Sequence, residues 1–165
     1  STISIDPEAD EFLSVLRDHT IVLFAGHANA SRRGPGDSAI KLPRSVVTVA
    51  DLVAEDLSHV ELAVLAACET MAPDSQIPER PLSLATAMLF AGAHAVVGSH
   101  WRVNDSHASA FALAVLRARH GGETLESAYR SALRSTAEDG PWFTLVANRR
   151  VSGPGTGSGR NEAGP

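Results

Sequence analysis

Apolar positions along the chain fall into two periods, one of helices and one of buried strands. Ala9, Phe12, Leu13 and Leu16 recur at i, i+3, i+4 and i+7, which gives one apolar helix face. The approach to that face suits a helix start, with Asp6 as cap, Pro7 at the first helical position and Glu8 against the positive end of the dipole. Residues 20–25 are rich in β-branched and large apolar side chains and predict a strand that stops at Gly26, with His27 just past its end. Residues 29–37 are polar and glycine-rich, and residues 38–42 with 45–47 predict a small hairpin around Pro43 and Arg44. Thr48 with Asp51 three residues on predicts a capped helix whose buried stripe is Val49, Leu52, Val53 and Leu57.

Residues 60–68 form an apolar run, interrupted only at Glu61, that ends on Cys68. Continuous apolar character suits a strand covered on both faces of a parallel sheet. Pro73, Pro78 and Pro81 then predict a loop over residues 69–81, expected to be mobile because it has few large apolar anchors. Residues 82–91 read as an alanine-rich helix closed by Gly92, and residues 93–99 as the next buried strand. Asp105 is placed to cap a helix with apolar face Ala108, Phe111, Ala112, Val115 and Leu116, which Gly121 and Gly122 end. A further helix from Thr124 carries Leu125, Ala128, Tyr129, Ala132 and Leu133, and residues 141–147 form a last strand. Alternation of this kind predicts an α/β fold: a mostly parallel sheet with helices on both faces.

Composition narrows the class. The chain has 165 residues, 44% of them hydrophobic but only 5% aromatic, so its core must be built mainly from Ala, Val and Leu. The expectation is one domain over residues 1–150, followed by a flexible Gly/Ser/Pro tail over residues 151–165. A net charge of −5 with interspersed signs leaves no electrostatic footprint for nucleic acid. No run is long enough to span a membrane and no leader is visible, so a cytoplasmic location is expected. A single cysteine cannot close an internal disulfide, which agrees with a reducing compartment.

Strand order then brings chemistry to one edge. Consecutive βαβ strands often lie side by side, about 4.8 Å apart, so residues past neighbouring strand ends come within reach of each other. His27 and Cys68 stand in that relation. An imidazole beside a thiol stabilises the thiolate or acts as general base, and later protonates a leaving amine. The backbone N–H groups of Cys68 and Ala28 are placed to stabilise a tetrahedral oxyanion. The competing reading is packing, because free cysteine is among the most buried residue types. Glu69 would raise the thiol pKa if turned inward, so an outward or loop-stabilising role is expected for it.

In order, the segments 24–27, 65–70, 91–105 and 141–143 resemble the CHAT domain, a caspase-like family related to caspases and separases and often fused to tetratricopeptide repeats. The resemblance covers roughly residues 12–147. It implies a caspase-type fold and cysteine endopeptidase chemistry on protein or peptide substrates, with His27 and Cys68 at the family's catalytic positions and no cofactor. It also implies regulation by a tetratricopeptide-type or other domain. CHAT domains commonly carry glycine after the histidine, where this chain has Ala28. They also usually begin with one or two strands before the helix at Pro7, so this chain is expected to lack those strands and to be part of a longer protein.

The third strand end carries Trp101, Arg102 and Asp105, where a substrate pocket could form. Arg102 would pair an acidic substrate side chain and Asp105 a basic one. Against this, Asp105 also reads as a helix cap and Trp101 as a lid on the core. A metal site is not expected: His94 and His100 share strand parity, but six residues of strand span about 20 Å, too far for one zinc ion. Two other classes stand beside the endopeptidase. One is a catalytically silent CHAT-like binding or signalling module. The other is a nucleotide or small-ligand binder on a flavodoxin-like sheet, against which the lack of a glycine-rich phosphate loop counts.

Overall fold

The computed structural model describes residues 4–29, 38–72, 83–136 and 143–148. In chain order these form α1 (Ala9–Asp18), β1 (Ile21–Ala25), β2 (His27–Asn29), β3 (Ala39–Lys41), β4 (Val46–Thr48), α2 (Val49–Val53), β5 (Leu62–Ala66), α3 (Leu84–Phe90), β6 (Ala95–Ser99), α4 (Asp105–His120), α5 (Leu125–Ser135) and β7 (Phe143–Ala147). The principal sheet has the order β1-β5-β6-β7, with β1, β5 and β6 parallel. β7 runs antiparallel to β6, Ala95 facing Ala147 and Ser99 facing Phe143. The helix pair α4–α5 explains the reversal: one helix carries the chain away from the carboxyl edge of the sheet and the second returns it there.

Helices cover both faces, as the alternation of elements predicts. β5 is buried at all five positions and divides its side chains by parity. Ala63 and Leu65 join Phe12, Leu16, Leu52, Leu84 and Met88 from the α1, α2 and α3 side. Leu62, Val64 and Ala66 join Phe111, Val115 and Phe143 from the α4 and α5 side. Phe111 stacks on Phe143 with centroids 4.3 Å apart and meets Tyr129 edge-on at 6.1 Å. The Tyr129 hydroxyl donates to the Phe143 carbonyl at 2.8 Å, and its burial raises the phenol above its ordinary pKa. β1 is the edge strand, so its burial alternates, with Val22 and Phe24 inside and Ile21 and Leu23 left 37% and 36% exposed.

Several local expectations change. Asp6 does not cap α1; it has φ 53°, Glu8 occupies the cap position without a side-chain bond, and the Ala9 N–H donates instead to Ser45 Oγ at 2.9 Å. The hairpin of β3 and β4 gains β2 as a third strand, because the chain does not end its extended course at Gly26 but switches to a second sheet there. A Cβ on Gly26 would lie 2.7 Å from the tip of the Phe24 ring, so a larger residue there would have to displace that buried ring. α2 forms with the Thr48–Asp51 capping box, but it stops at Val53, which is 45% exposed instead of buried. Asn104, not Asp105, caps α4, its side chain accepting from the Ser106 N–H at 2.9 Å. Gly92 closes α3 at φ 109° as its place in the sequence predicts. The tail at 151–165, the proline segment at 73–81, the glycine-rich residues 30–37, and Pro141 and Trp142 lie outside the described residues.

The aromatic stack gives a stability prediction. Phe111→Ala removes a side chain that is 1% exposed and should lower unfolding free energy by about 3–5 kcal/mol in urea titrations, whereas Phe90→Ala, at a site 75% exposed, should stay within about 0.5 kcal/mol.

Candidate active site

The pairing of β1 with β5 sets the geometry of the carboxyl edge. Their ladder ends with Ala25 opposite Ala66, and the Gly26 N–H extends it by a 3.4 Å bond to the Ala66 carbonyl. His27 and Cys68 each stand two positions beyond that last pair. His27 is exposed as the first residue of β2, opposite Lys41. Cys68 is half-buried in the turn after β5. Both line one groove of about 1700 Å³ that runs along β1, and Ala28, Glu69 and Arg102 line it too.

The thiol is held by the third edge. Cys68 Sγ donates to the Val103 carbonyl at 3.8 Å, and among the described residues no hydrogen bond joins it to His27. The Cys68 N–H takes no acceptor among the described residues, so it is free to receive an oxyanion. The next residue, Glu69, has φ 56°, a left-handed conformation costly for a side chain with Cβ. Bonds to β6 and its end hold that strained turn in place. Glu69 N–H donates to the Trp101 carbonyl at 3.1 Å and Met71 N–H to the Ser99 carbonyl at 2.8 Å. Ser99 N–H donates to Thr70 Oγ1 at 3.0 Å, and Ser99 Oγ lies 2.7 Å from the Ala67 carbonyl.

Thr70 and Ser99 are fully buried, and buried polar groups are stable only when so paired. Gly98 makes room for them, since a Cβ there would stand 2.6 Å from Thr70 Oγ1. The expected mobility of residues 69–81 therefore fails for residues 69–72, which are pinned from two sides, α3 also donating from Ala85 N–H to the Thr70 carbonyl at 3.1 Å. Sequence reasoning missed Thr70, Ser99 and Gly98. The signal was there: a serine closing an otherwise apolar strand must have a partner if it is buried.

The third-edge candidates separate. Arg102 lines the groove, with its Nε 3.9 Å from Glu69 Oε1 and its side chain 88% exposed. Glu69 thus faces a cation in the groove that Cys68 also lines, instead of turning away from the thiol as expected. Trp101 and Asp105 are not among the groove residues. Trp101 is 60% exposed, its ring tilted against His100 at 6.0 Å, so it is no lid on the core. Its carbonyl, not its ring, holds the site together.

Fold and site together define an α/β protein with a mostly parallel sheet in which the chain, just past the carboxyl ends of adjacent strands β1 and β5, carries a histidine and a cysteine into one groove. The profile of the CHAT domain matches residues 2–143, and the chain belongs to that caspase-like family. No curated protein matches it.

Two substitutions test the pinned turn. Gly98→Ala forces its methyl group against Thr70 and should cost about 1–3 kcal/mol of stability. Thr70→Val leaves the buried Ser99 N–H without an acceptor and should cost a similar 1–3 kcal/mol. Equilibrium unfolding checks both, and values within 0.3 kcal/mol of the parent, roughly the usual measurement scatter, would show that the turn is not held this way.

Proposed function

We propose that the chain is a cysteine endopeptidase of caspase-like type, acting on protein or peptide substrates. The observation that carries this reading is the common offset of His27 and Cys68 from one strand ladder, which lets a rigid sheet fix both groups. His27 takes the thiol proton, and Cys68 Sγ attacks the scissile carbonyl carbon while the C=O π pair moves onto oxygen. The N–H groups of Cys68 and Ala28 receive that oxyanion. Collapse breaks the C–N bond, and the departing amine takes the proton from the imidazolium, leaving a thioester on Cys68. Water, giving a proton to His27, adds to the thioester; the acid product leaves and the thiol is restored.

Arg102 supplies a substrate contact from the groove wall, with Trp101 and Asp105 further out at the same edge. An exposed guanidinium suits an acidic substrate side chain, to which it adds about 1 kcal/mol at most. A partner or fused domain, of tetratricopeptide or other type, controls access, and residues 1–150 act as one domain in the cytoplasm. No helix among the described residues is long and apolar enough to cross a membrane.

One pair of observations favours a second reading, a silent CHAT module that works by binding. The thiol bonds to Val103 and not to His27, and Ala28 stands where the family commonly has glycine. Reactivity separates the two readings. A peptidyl acyloxymethyl ketone should label the parent once, by intact mass, and leave Cys68→Ala unlabelled. His27→Ala should slow peptide cleavage by about 10²–10⁴-fold, the usual contribution of a general base. Labelling no faster than that of free cysteine would establish the silent module, and cleavage that survives both substitutions would overturn the Cys68–His27 mechanism. Arg102→Ala should narrow the preference for acidic over neutral substrates by about fivefold in kcat/KM, equivalent to ~1 kcal/mol.

A further inference from the structure

The Ala67–Cys68 peptide group carries both a buried acceptor and the free donor of the site. A trans peptide is planar, with its C=O and N–H pointing opposite ways, so whatever fixes the Ala67 carbonyl also aims the Cys68 N–H. Ser99 Oγ has two acceptors in range, the Ala67 carbonyl at 2.7 Å and the Trp101 carbonyl at 3.1 Å. Its one proton goes to Ala67. That contact is shorter, and the Trp101 carbonyl already accepts the Glu69 N–H, whereas among the described residues no backbone N–H outside the regular elements reaches the Ala67 carbonyl.

Ser99 is itself immobile. It is fully buried, its N–H bonds Thr70 Oγ1 and its carbonyl accepts the Met71 N–H, so all three of its polar groups engage the turn that carries Cys68. A hydroxyl donating to one end of a peptide also polarises the N–H at the other, and strengthens it as a donor in a low-dielectric surround.

We infer that Ser99 is a positioning residue: by donating to the Ala67 carbonyl, its hydroxyl orients and polarises the Ala67–Cys68 peptide so that the Cys68 N–H serves as oxyanion donor. This rests on the endopeptidase reading for its catalytic consequence, but the peptide orientation does not. Ser99 touches no reacting atom and acts only through that peptide. The effect belongs to the transition state, where negative charge sits on the substrate oxygen, and not to the ground state or to the nucleophilicity of the thiol.

The test uses the full chain and two variants, Ser99→Ala and Ser99→Thr. In Ser99→Ala, kcat for a fluorogenic peptide should fall about 10–100-fold, somewhat less than for outright loss of an oxyanion donor, with KM within about twofold. Alkylation of Cys68 by iodoacetamide, which forms no oxyanion, should keep its rate within about twofold. Ser99→Thr, which retains the hydroxyl, should restore most of kcat. The amide ¹⁵N resonance of Cys68 should move in Ser99→Ala and return towards the parent in Ser99→Thr. An unmoved Cys68 resonance, an unchanged kcat, or alkylation that falls in step with kcat each overturns the inference, the last because it marks a general loosening of the turn. A parent that neither cleaves peptide nor takes the electrophile overturns the endopeptidase reading and the catalytic role with it, while the Cys68 resonance separately reports whether Ser99 orients the peptide.

Discussion

The parallel ladder between β1 and β5 is the constraint from which the site follows. Register in a parallel sheet is discrete, and a slip by one residue would turn every side chain of the strand to the other face. In β5 such a slip is resisted from both sides, because Leu62, Val64 and Ala66 fill one core and Ala63 and Leu65 the other. With the register locked at Ala25 opposite Ala66, the chain has only two residues on each strand in which to place His27 and Cys68. For His27 the pairing with Lys41 in β2 and β3 adds to what the ladder sets. The hydrophobic effect, acting along the whole strand, does the locating.

Locating a residue is not the same as orienting it, and here a second layer of structure takes over. The turn after β5 contains Glu69 at φ 56°, which an unsupported chain would relax away from at a gain of about 1–2 kcal/mol. Four bonds from β6 and its end oppose that relaxation: Glu69 N–H to Trp101, Met71 N–H to Ser99, Ser99 N–H to Thr70 and Ser99 Oγ to Ala67. At roughly 0.5–1.5 kcal/mol net for each, the set exceeds the strain. Gly98 is the steric condition for this arrangement, since any side chain there would occupy the place of Thr70 Oγ1.

What could be read from sequence divides along the same line. The run at residues 60–68, the Thr48–Asp51 box, Gly92 and the helix faces of α1 and α4 are local signals, and local physics settles them. The failures concern partners remote in sequence. Asp6, Pro7 and Glu8 spell a helix start, but Ser45, 36 residues away, meets the Ala9 N–H. His27 reads as the residue after a strand because nothing local shows that β3 will pair with it. Trp101 reads as buried by its type, whereas the protein uses its carbonyl. Ser99 and Thr70 look unremarkable singly, and only the parallel pairing of β5 with β6 makes them neighbours.

The strengths of these bonds differ, and the difference bears on how the site works. The peptides around Cys68 are fixed by N–H and O–H donors in a buried, low-dielectric surround, where hydrogen bonds are at their strongest. The thiol itself is held by one S–H contact of 3.8 Å to the Val103 carbonyl, and a thiol is a weak donor. Turning Sγ about the Cα–Cβ bond forfeits that one weak contact and breaks none of the bonds that fix the turn. Under the proposed endopeptidase chemistry this would divide the labour of acyl transfer between a backbone donor held in place for the oxyanion and a nucleophile that the bonds of the turn do not restrain. A site with the reverse division, a clamped thiol on a loose turn, would have to rebuild its oxyanion donor in every cycle.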